Sequence, residues 1–160
     1  MTTKIRTWFF LLAFLGAGCR RHVMSSSAMV PTIQPGQRLE IDYTAYRRAP
    51  IKRWDVVAFS PPGRANELWI SRVLALPNEI IDVKSNSITV NGVPLPVPAG
   101  VPNKYDAEPT PTREVPMVSL PYTVTAGGYF LLGDNRAAAL DSRFLGEIPN
   151  SCIVGKVRIK

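Results

Sequence analysis

The chain has few of the side chains that most often bind metals. Among its 160 residues there are two cysteines and one histidine, too few for a closed zinc site, which takes four such ligands. A Gly-rich phosphate loop of the P-loop or dinucleotide type is also missing from the sequence. We therefore expect neither a metal site nor a cofactor.

The sequence also lacks a hydrophobic run long enough for an ordinary transmembrane helix. The uncharged run at residues 7–19 has about 13 residues, whereas a hydrocarbon core of ~30 Å needs about 20 residues of helix. It follows Lys4 and Arg6, as the h-region of a signal peptide does. Its end, Gly16-Ala17-Gly18-Cys19, resembles a bacterial lipoprotein processing site. A lipidated Cys19, an uncleaved short anchor and an accidental cysteine all stay open, and the first two place the chain at a bacterial membrane with its remainder exported.

Acidic residues are outnumbered by basic ones in two segments of the chain, and these segments carry the whole net charge. The net charge is +7, from 19 basic and 12 acidic residues. Residues 1–22 hold four basic and no acidic residues, residues 38–53 hold five basic and two acidic ones, and the remainder is balanced. Charge concentrated beside a targeting segment favours an anionic membrane surface over a nucleic-acid groove. We expect membrane lipids as partners and no nucleic acid.

Helical periodicity is rare after the N-terminal segment, and the chain is predicted to be mainly β. Alternating or short apolar runs predict strands at 37–43, 55–59, 68–76, 80–83, 87–90, 93–95, 129–132 and 153–159. Asn91-Gly92 predicts a tight hairpin turn. Residues 94–121 contain eight prolines and predict a surface excursion. We expect one β domain at 23–160 after a leader or anchor at 1–22.

Three segments carry motifs in a fixed order: SSAMVPTIQPG at 26–36, SRVLALPNE at 71–79 and GDNRAAALDSRFLG at 133–146. They resemble the nucleophile box, the lysine box and the last box of the signal peptidase I family, over roughly residues 24–160. The resemblance implies a signal-peptidase-like domain, a β-barrel or coiled sheet, at the outer face of the membrane. Family members cleave signal peptides from exported proteins with a serine nucleophile and a lysine general base.

This sequence departs from the family at the reactive positions. Ala28 occupies the nucleophile position, Ser71 the lysine position, and Ala139 the position of a serine that orients the lysine. A methyl group cannot attack a carbonyl, and a neutral hydroxyl is not a general base. Ser26 matches a position that helps form the oxyanion hole. We therefore expect a degenerate member that is catalytically impaired or inactive.

The residues around the reactive positions are retained, and two interpretations stay open. One is an endopeptidase with a displaced nucleophile, for which Ser27 is the nearest hydroxyl. The other is a non-catalytic module that binds signal-peptide-like or other extended peptides in the retained groove. We expect His22 to be solvated beside the membrane and Cys152 to be a small buried residue. The retained framework is Met29, Pro31, Thr32, Arg72, Asp134, Asn135, Asp141, Ser142 and Arg143.

Overall fold

The computed structural model describes residues 19–84, 87–101 and 116–159. Within them the chain is built mainly from short strands, with two helices of a single turn and one 3-10 turn at Asn150–Cys152. The strands are β1 (Cys19–Val23), β2 (Arg38–Asp42), β3 (Val56–Phe59), β4 (Trp69–Ala75), β5 (Ile80–Val83), β6 (Ile88–Val90), β7 (Val93–Pro94), β8 (Tyr122–Thr123), β9 (Gly128–Leu132), β10 (Ile148–Pro149) and β11 (Ile153–Arg158). The helices are α1 (Ala45–Arg48) and α2 (Ser142–Leu145).

The strands form two sheets in which every described pair is antiparallel. The larger sheet has the order β1-β2-β11-β3-β4-β9-β10, and the smaller one has the order β7-β6-β5-β8. In the described part of the chain β1 and β10 do not pair with each other, so the larger sheet is open rather than closed. The prediction of a mainly β fold is confirmed, and of the two predicted forms the larger sheet is the open one. The predicted N-terminal helical segment lies outside the described residues.

The predicted hairpin is present in the smaller sheet. Val90 pairs with Val93, so the turn between β6 and β7 contains only Asn91 and Gly92. Both turn residues have positive φ, 52° and 77°, as a two-residue turn of this kind requires. Half of the predicted proline-rich excursion, residues 102–115, lies outside the described residues.

Strand β1 was not predicted. Its sequence, Cys-Arg-Arg-His-Val, has no apolar alternation, and it forms because all five residues pair with β2. The strand crosses the boundary that we placed after residue 22. The division into a leader at 1–22 and a domain at 23–160 stays a prediction.

Buried apolar side chains fix the first motif segment onto the larger sheet. Met29 and Ile33 are fully buried and pack in one cluster with Ile41 of β2, Ile70 of β4 and Val157 of β11. Burying side chains of this size contributes roughly 1.5–3 kcal/mol each. The backbone that follows residue 28 is therefore held against the sheet by core packing.

Candidate functional site

A groove of about 380 Å³ opens between the end of β1, the start of β4 and the loop that follows β9. Ala28 and Ser71, which we expect at the nucleophile and lysine positions from the motif resemblance, both line this groove, together with Ser26. The structure thus brings together two positions that lie 43 residues apart in the sequence. The apolar side chains of its walls include Met24, Leu68, Ile70 and Leu140.

The third reactive position, Ala139, packs behind the groove at Gly133. A Cβ atom added at Gly133 would overlap the Ala139 methyl group and would lie 2.7 Å from the carbonyl oxygen of Ala28. Only glycine fits here without displacing one of these neighbours. Ser71 pairs with Val57 of β3, and its neighbour Arg72 pairs with Leu132 of β9, so β4 carries position 71 between two strands of the larger sheet.

A buried ion pair joins all three motif segments. Arg72 donates to Asp134 through two hydrogen bonds, Nε to Oδ1 at 2.8 Å and Nη2 to Oδ2 at 2.6 Å, and both side chains are 5% exposed. Thr32 donates its hydroxyl to the same carboxylate, and Arg72 Nη1 donates to the Trp54 carbonyl oxygen at 3.1 Å. Two-pronged guanidinium–carboxylate pairs are geometrically specific. This network holds the first and last motif segments at fixed positions on β4.

A second buried network shapes the loop after β9. Asp141 accepts from Gly133 N at 3.0 Å and from Arg143 Nε at 2.8 Å, and it also accepts from Arg143 N at the start of α2. Ser142 Oγ accepts from Leu131 N at 2.9 Å, and Arg143 Nη2 donates to the Arg136 carbonyl oxygen at 2.8 Å. Asp141, Ser142 and Arg143 are fully buried. Their side chains hydrogen-bond within this loop and to Leu131 of β9.

Asn135 holds the backbone of the serine triplet. Its backbone N–H donates to the Ala28 carbonyl oxygen at 2.9 Å, and its side-chain Nδ2 donates to the Ser27 carbonyl oxygen at 3.1 Å. Ser26 Oγ accepts from Ala28 N at 3.4 Å. The groove is lined by Ser25 and Ser26, whereas Ser27 is exposed elsewhere. Among the residues of this triplet, Ser26 is thus the better placed hydroxyl.

His22 is half-buried and lines the groove, whereas its expected place beside a membrane stays a prediction. Strand β1 places it in the groove: His22 pairs with Leu39, a buried residue, and so projects to the core side of the sheet. Glu67 and Trp69 also line the groove and were not singled out from the sequence. No sequence motif marks His22, Glu67 or Trp69. They reach the groove because of the path of β1 and of the chain that enters β4.

The groove carries little free charge. Glu67 accepts from Arg64 at 3.2 Å and from Trp69 Nε1 at 2.9 Å, so its carboxylate is already paired.

Asp42 lies outside the groove, on the opposite face of the sheet. Its carboxylate accepts hydrogen bonds from the hydroxyl and the backbone N–H of Thr44, and these lower the pKa of Asp42 to about 2. Within the described ranges no cluster of histidine, cysteine and carboxylate side chains could hold a metal ion.

The two cysteines are separate. Cys19 begins β1 opposite Asp42, Cys152 ends the 3-10 turn, and both are half-buried free thiols. Of the described residues, none belongs to a helix long and apolar enough to cross a membrane.

Comparison with known proteins places this geometry in a family. Residues 3–160 match the family model described as signal peptidase, peptidase S26. The chain belongs to the signal peptidase I family. It is 32% identical over 139 residues to a signal peptidase I of Bacillus caldolyticus, which covers 85% of this chain and 75% of the relative. It is 30% identical over 142 residues to a signal peptidase I of Leptolyngbya laminosa, with 84% of this chain and 64% of the relative covered.

A solved signal peptidase I has a similar fold. The crystal structure from Enterococcus faecalis V583 gives a TM-score of 0.53 at 28% identity, covering 69% of this chain and 98% of the solved one. Signal peptidase I V of Bacillus subtilis is 34% identical over 133 residues, with 81% of this chain and 78% of the relative covered. This chain therefore spans between about two thirds and four fifths of the length of these signal peptidase relatives.

Proposed function

We propose that this signal peptidase I family member binds signal-peptide-like, extended segments in its groove without cleaving them by serine–lysine chemistry. The observation that carries the proposal is that Ala28 and Ser71 line one groove. The reactive positions are therefore in place, but the side chains there cannot supply the reaction.

The chemical part of the proposal rests on what each side chain can do. Acyl transfer by this family needs a hydroxyl as nucleophile and a neutral amine to take its proton. Ala28 offers a methyl group and Ser71 a hydroxyl with no useful basicity. Loss of one member of such a unit typically lowers kcat by about 10⁴–10⁶-fold, and further losses add little. We therefore expect cleavage to be undetectable above background.

The binding part rests on the framework around the groove. Arg72, Asp134 and Thr32 still join the three motif segments, and Asn135 still fixes the carbonyls of Ser27 and Ala28. An open groove beside strands can take an extended peptide by main-chain hydrogen bonding, with side chains entering shallow pockets. None of these contacts depends on the missing reactive groups.

A cleavage assay separates the two interpretations. The unmodified chain is tested on a signal-peptide substrate beside Ala28→Ser/Ser71→Lys/Ala139→Ser. The matched control is Ala28→Ser/Ser71→Gln/Ala139→Ser, which regains the hydroxyls but not the base. We expect cleavage by the first variant only.

The same assay has an outcome that favours an enzyme. Turnover by the unmodified chain that disappears in Ser26→Ala or Ser27→Ala would establish a displaced nucleophile and overturn the proposal. Peptide binding without turnover, measured by fluorescence anisotropy, supports it.

We further propose that the domain faces an anionic membrane on the exported side of a bacterial cell. The register of β1, β2 and β11 sets Arg21, Glu40 and Arg158 in one row and Val23 and Arg38 in the next. Including Lys156, this face holds four basic residues against Glu40, Asp42 and Asp55, with Lys156 ion-paired to Asp55 and Arg158 to Asp42. Arg21 and Arg38 are therefore the basic residues on which the proposal depends. Basic residues near an anionic surface contribute about 1 kcal/mol each.

Vesicle sedimentation tests this face. We expect binding to vesicles containing phosphatidylglycerol, weaker binding at high salt, and a clear loss in Arg21→Gln/Arg38→Gln. Equal binding to neutral vesicles would contradict it. Mass spectrometry of the N-terminus of the protein purified from membranes tests lipidation: a lipidated Cys19 as first residue supports a lipoprotein, and an intact leader supports the anchor.

A further inference from the structure

The Ser71 hydroxyl is buried in the groove wall without an internal partner. The residue is 3% exposed and lines the groove. None of the residues that the structure describes forms a hydrogen bond with this hydroxyl. The oxygen atom is nevertheless not completely enclosed by protein. The hydroxyl therefore opens onto the groove. A bound peptide that displaces groove water from this hydroxyl must supply a hydrogen bond in its place, because a buried polar group left unpaired is costly.

Ser71 shares its groove with small and apolar side chains as well as with the polar residues His22, Ser25, Ser26 and Glu67. Ala28 and Ala138 line the groove with methyl groups, and Ile70 and Leu140 add apolar surface. A lysine at position 71 would extend three heavy atoms further than serine into this space. Here that volume is free and belongs to the groove of about 380 Å³.

The charge of the groove agrees with an uncharged ligand group. Its ionisable lining residues are His22 and Glu67, and Glu67 is paired with Arg64. The groove therefore has no free carboxylate to attract a basic side chain. An apolar side chain of the ligand would replace water over methyl and methylene groups, which is favourable in proportion to the apolar area covered.

We propose that the space over Ser71 is a pocket for a bulky aliphatic side chain of the bound peptide, such as leucine. The Ser71 hydroxyl hydrogen-bonds to the main chain of the same peptide. Ser71 is then a specificity-determining residue. This inference rests on the proposed peptide binding and adds the class of side chain that the groove selects.

A leucine scan tests the inference. A fluorescein-labelled nine-residue peptide of alanine, with terminal lysines for solubility, is compared with variants that carry one leucine at each position in turn. Affinity for the full chain is measured by fluorescence anisotropy. We expect one position at which leucine tightens binding about tenfold or more, from the added buried methylene groups.

Filling the pocket from the protein side should reverse this preference. Ser71→Leu is expected to bind the all-alanine peptide at least as tightly as the leucine peptide. Ala28→Val narrows the same space from the opposite wall, and serves if Ser71→Leu does not fold. Ser71→Ala keeps the leucine preference but weakens all peptides by a similar factor, about threefold to tenfold. The matched control is Ser119→Ala, which removes an exposed hydroxyl and changes nothing.

The outcomes separate this inference from the function on which it rests. Peptide binding without a leucine preference, or a preference that both filling variants leave unchanged, overturns the pocket and leaves peptide binding standing. Absence of binding by every peptide overturns both. A leucine preference that the filling variants abolish supports the pocket.

Discussion

Removing the Asp134 carboxylate tests whether the buried ion pair holds the three motif segments together. The pair has two hydrogen bonds of 2.6 and 2.8 Å, both side chains are 5% exposed, and Thr32 adds a third donor to the carboxylate. Asp134→Ala leaves the guanidinium of Arg72 buried without its counter-charge. Breaking a buried pair in this way costs about 3–5 kcal/mol.

Urea unfolding followed by fluorescence or circular dichroism measures this loss. With an m value of about 2 kcal/mol/M, the midpoint of Asp134→Ala should fall by about 2 M. The exposed pair Lys84–Asp82, at 3.2 Å, supplies the control. Asp82→Ala should cost less than about 1 kcal/mol because solvent screens that pair.

A double variant separates the charge effect from simple loss of packing. Arg72→Met/Asp134→Leu removes both charges and keeps the volume, so it should be more stable than either single replacement. If Asp134→Ala lowers the free energy of unfolding by less than about 1 kcal/mol, the reasoning is refuted, because an ion pair that contributes so little behaves as a solvent-exposed one. A double variant less stable than both singles would refute the charge explanation.

Three further changes have defined outcomes. Gly133→Ala adds a methyl group 2.7 Å from the Ala28 carbonyl oxygen, so it should lower the free energy of unfolding by about 1–3 kcal/mol and weaken peptide binding, by urea titration and anisotropy. Gly92→Ala forces an L side chain to a φ of 77° in the hairpin, which should cost about 1–2 kcal/mol by the same urea titration. The pKa of Asp42, lowered to about 2 by its hydrogen bonds with Thr44, adds stability above about pH 4 that is lost as the pH falls through 2, so Asp42→Asn should be less stable at pH 5 but match the unmodified chain near pH 1.

The longer strands could be predicted because their sequences alternate or form short apolar runs. The run Arg-Leu-Glu-Ile-Asp of β2 has one buried and one polar face, and the Asn91-Gly92 turn fixes the next hairpin locally. Strand β1 could not be predicted, because its polar residues carry no periodic signal and its pairing with β2 is a long-range effect. The two-residue strands β8 and β10 are too short to show any pattern.

The site could be predicted only where a motif marks it. Ala28 and Ser71 were found as departures from family boxes, and they meet in one groove because Asn135 and the packing of Met29 hold residue 28 near β4. The place of His22 in the groove could not be predicted, because it depends on the pairing of β1. From the sequence, Ser71 was interpreted only as the loss of the family's lysine base. Its burial and its hydroxyl without a protein partner can be seen only in the structure.

The residues of the buried networks around Arg72 and Asp141 differ from the residues at the reactive positions. Folding depends on the charged side chains that join the motif segments, whereas the side chains at positions 28, 71 and 139 make no hydrogen bonds among the described residues. In such an architecture reactivity can disappear by a few substitutions while the scaffold remains under selection for stability. If Ala28→Ser/Ser71→Lys/Ala139→Ser cleaves a signal peptide, the lost chemistry lies only three substitutions away from this scaffold.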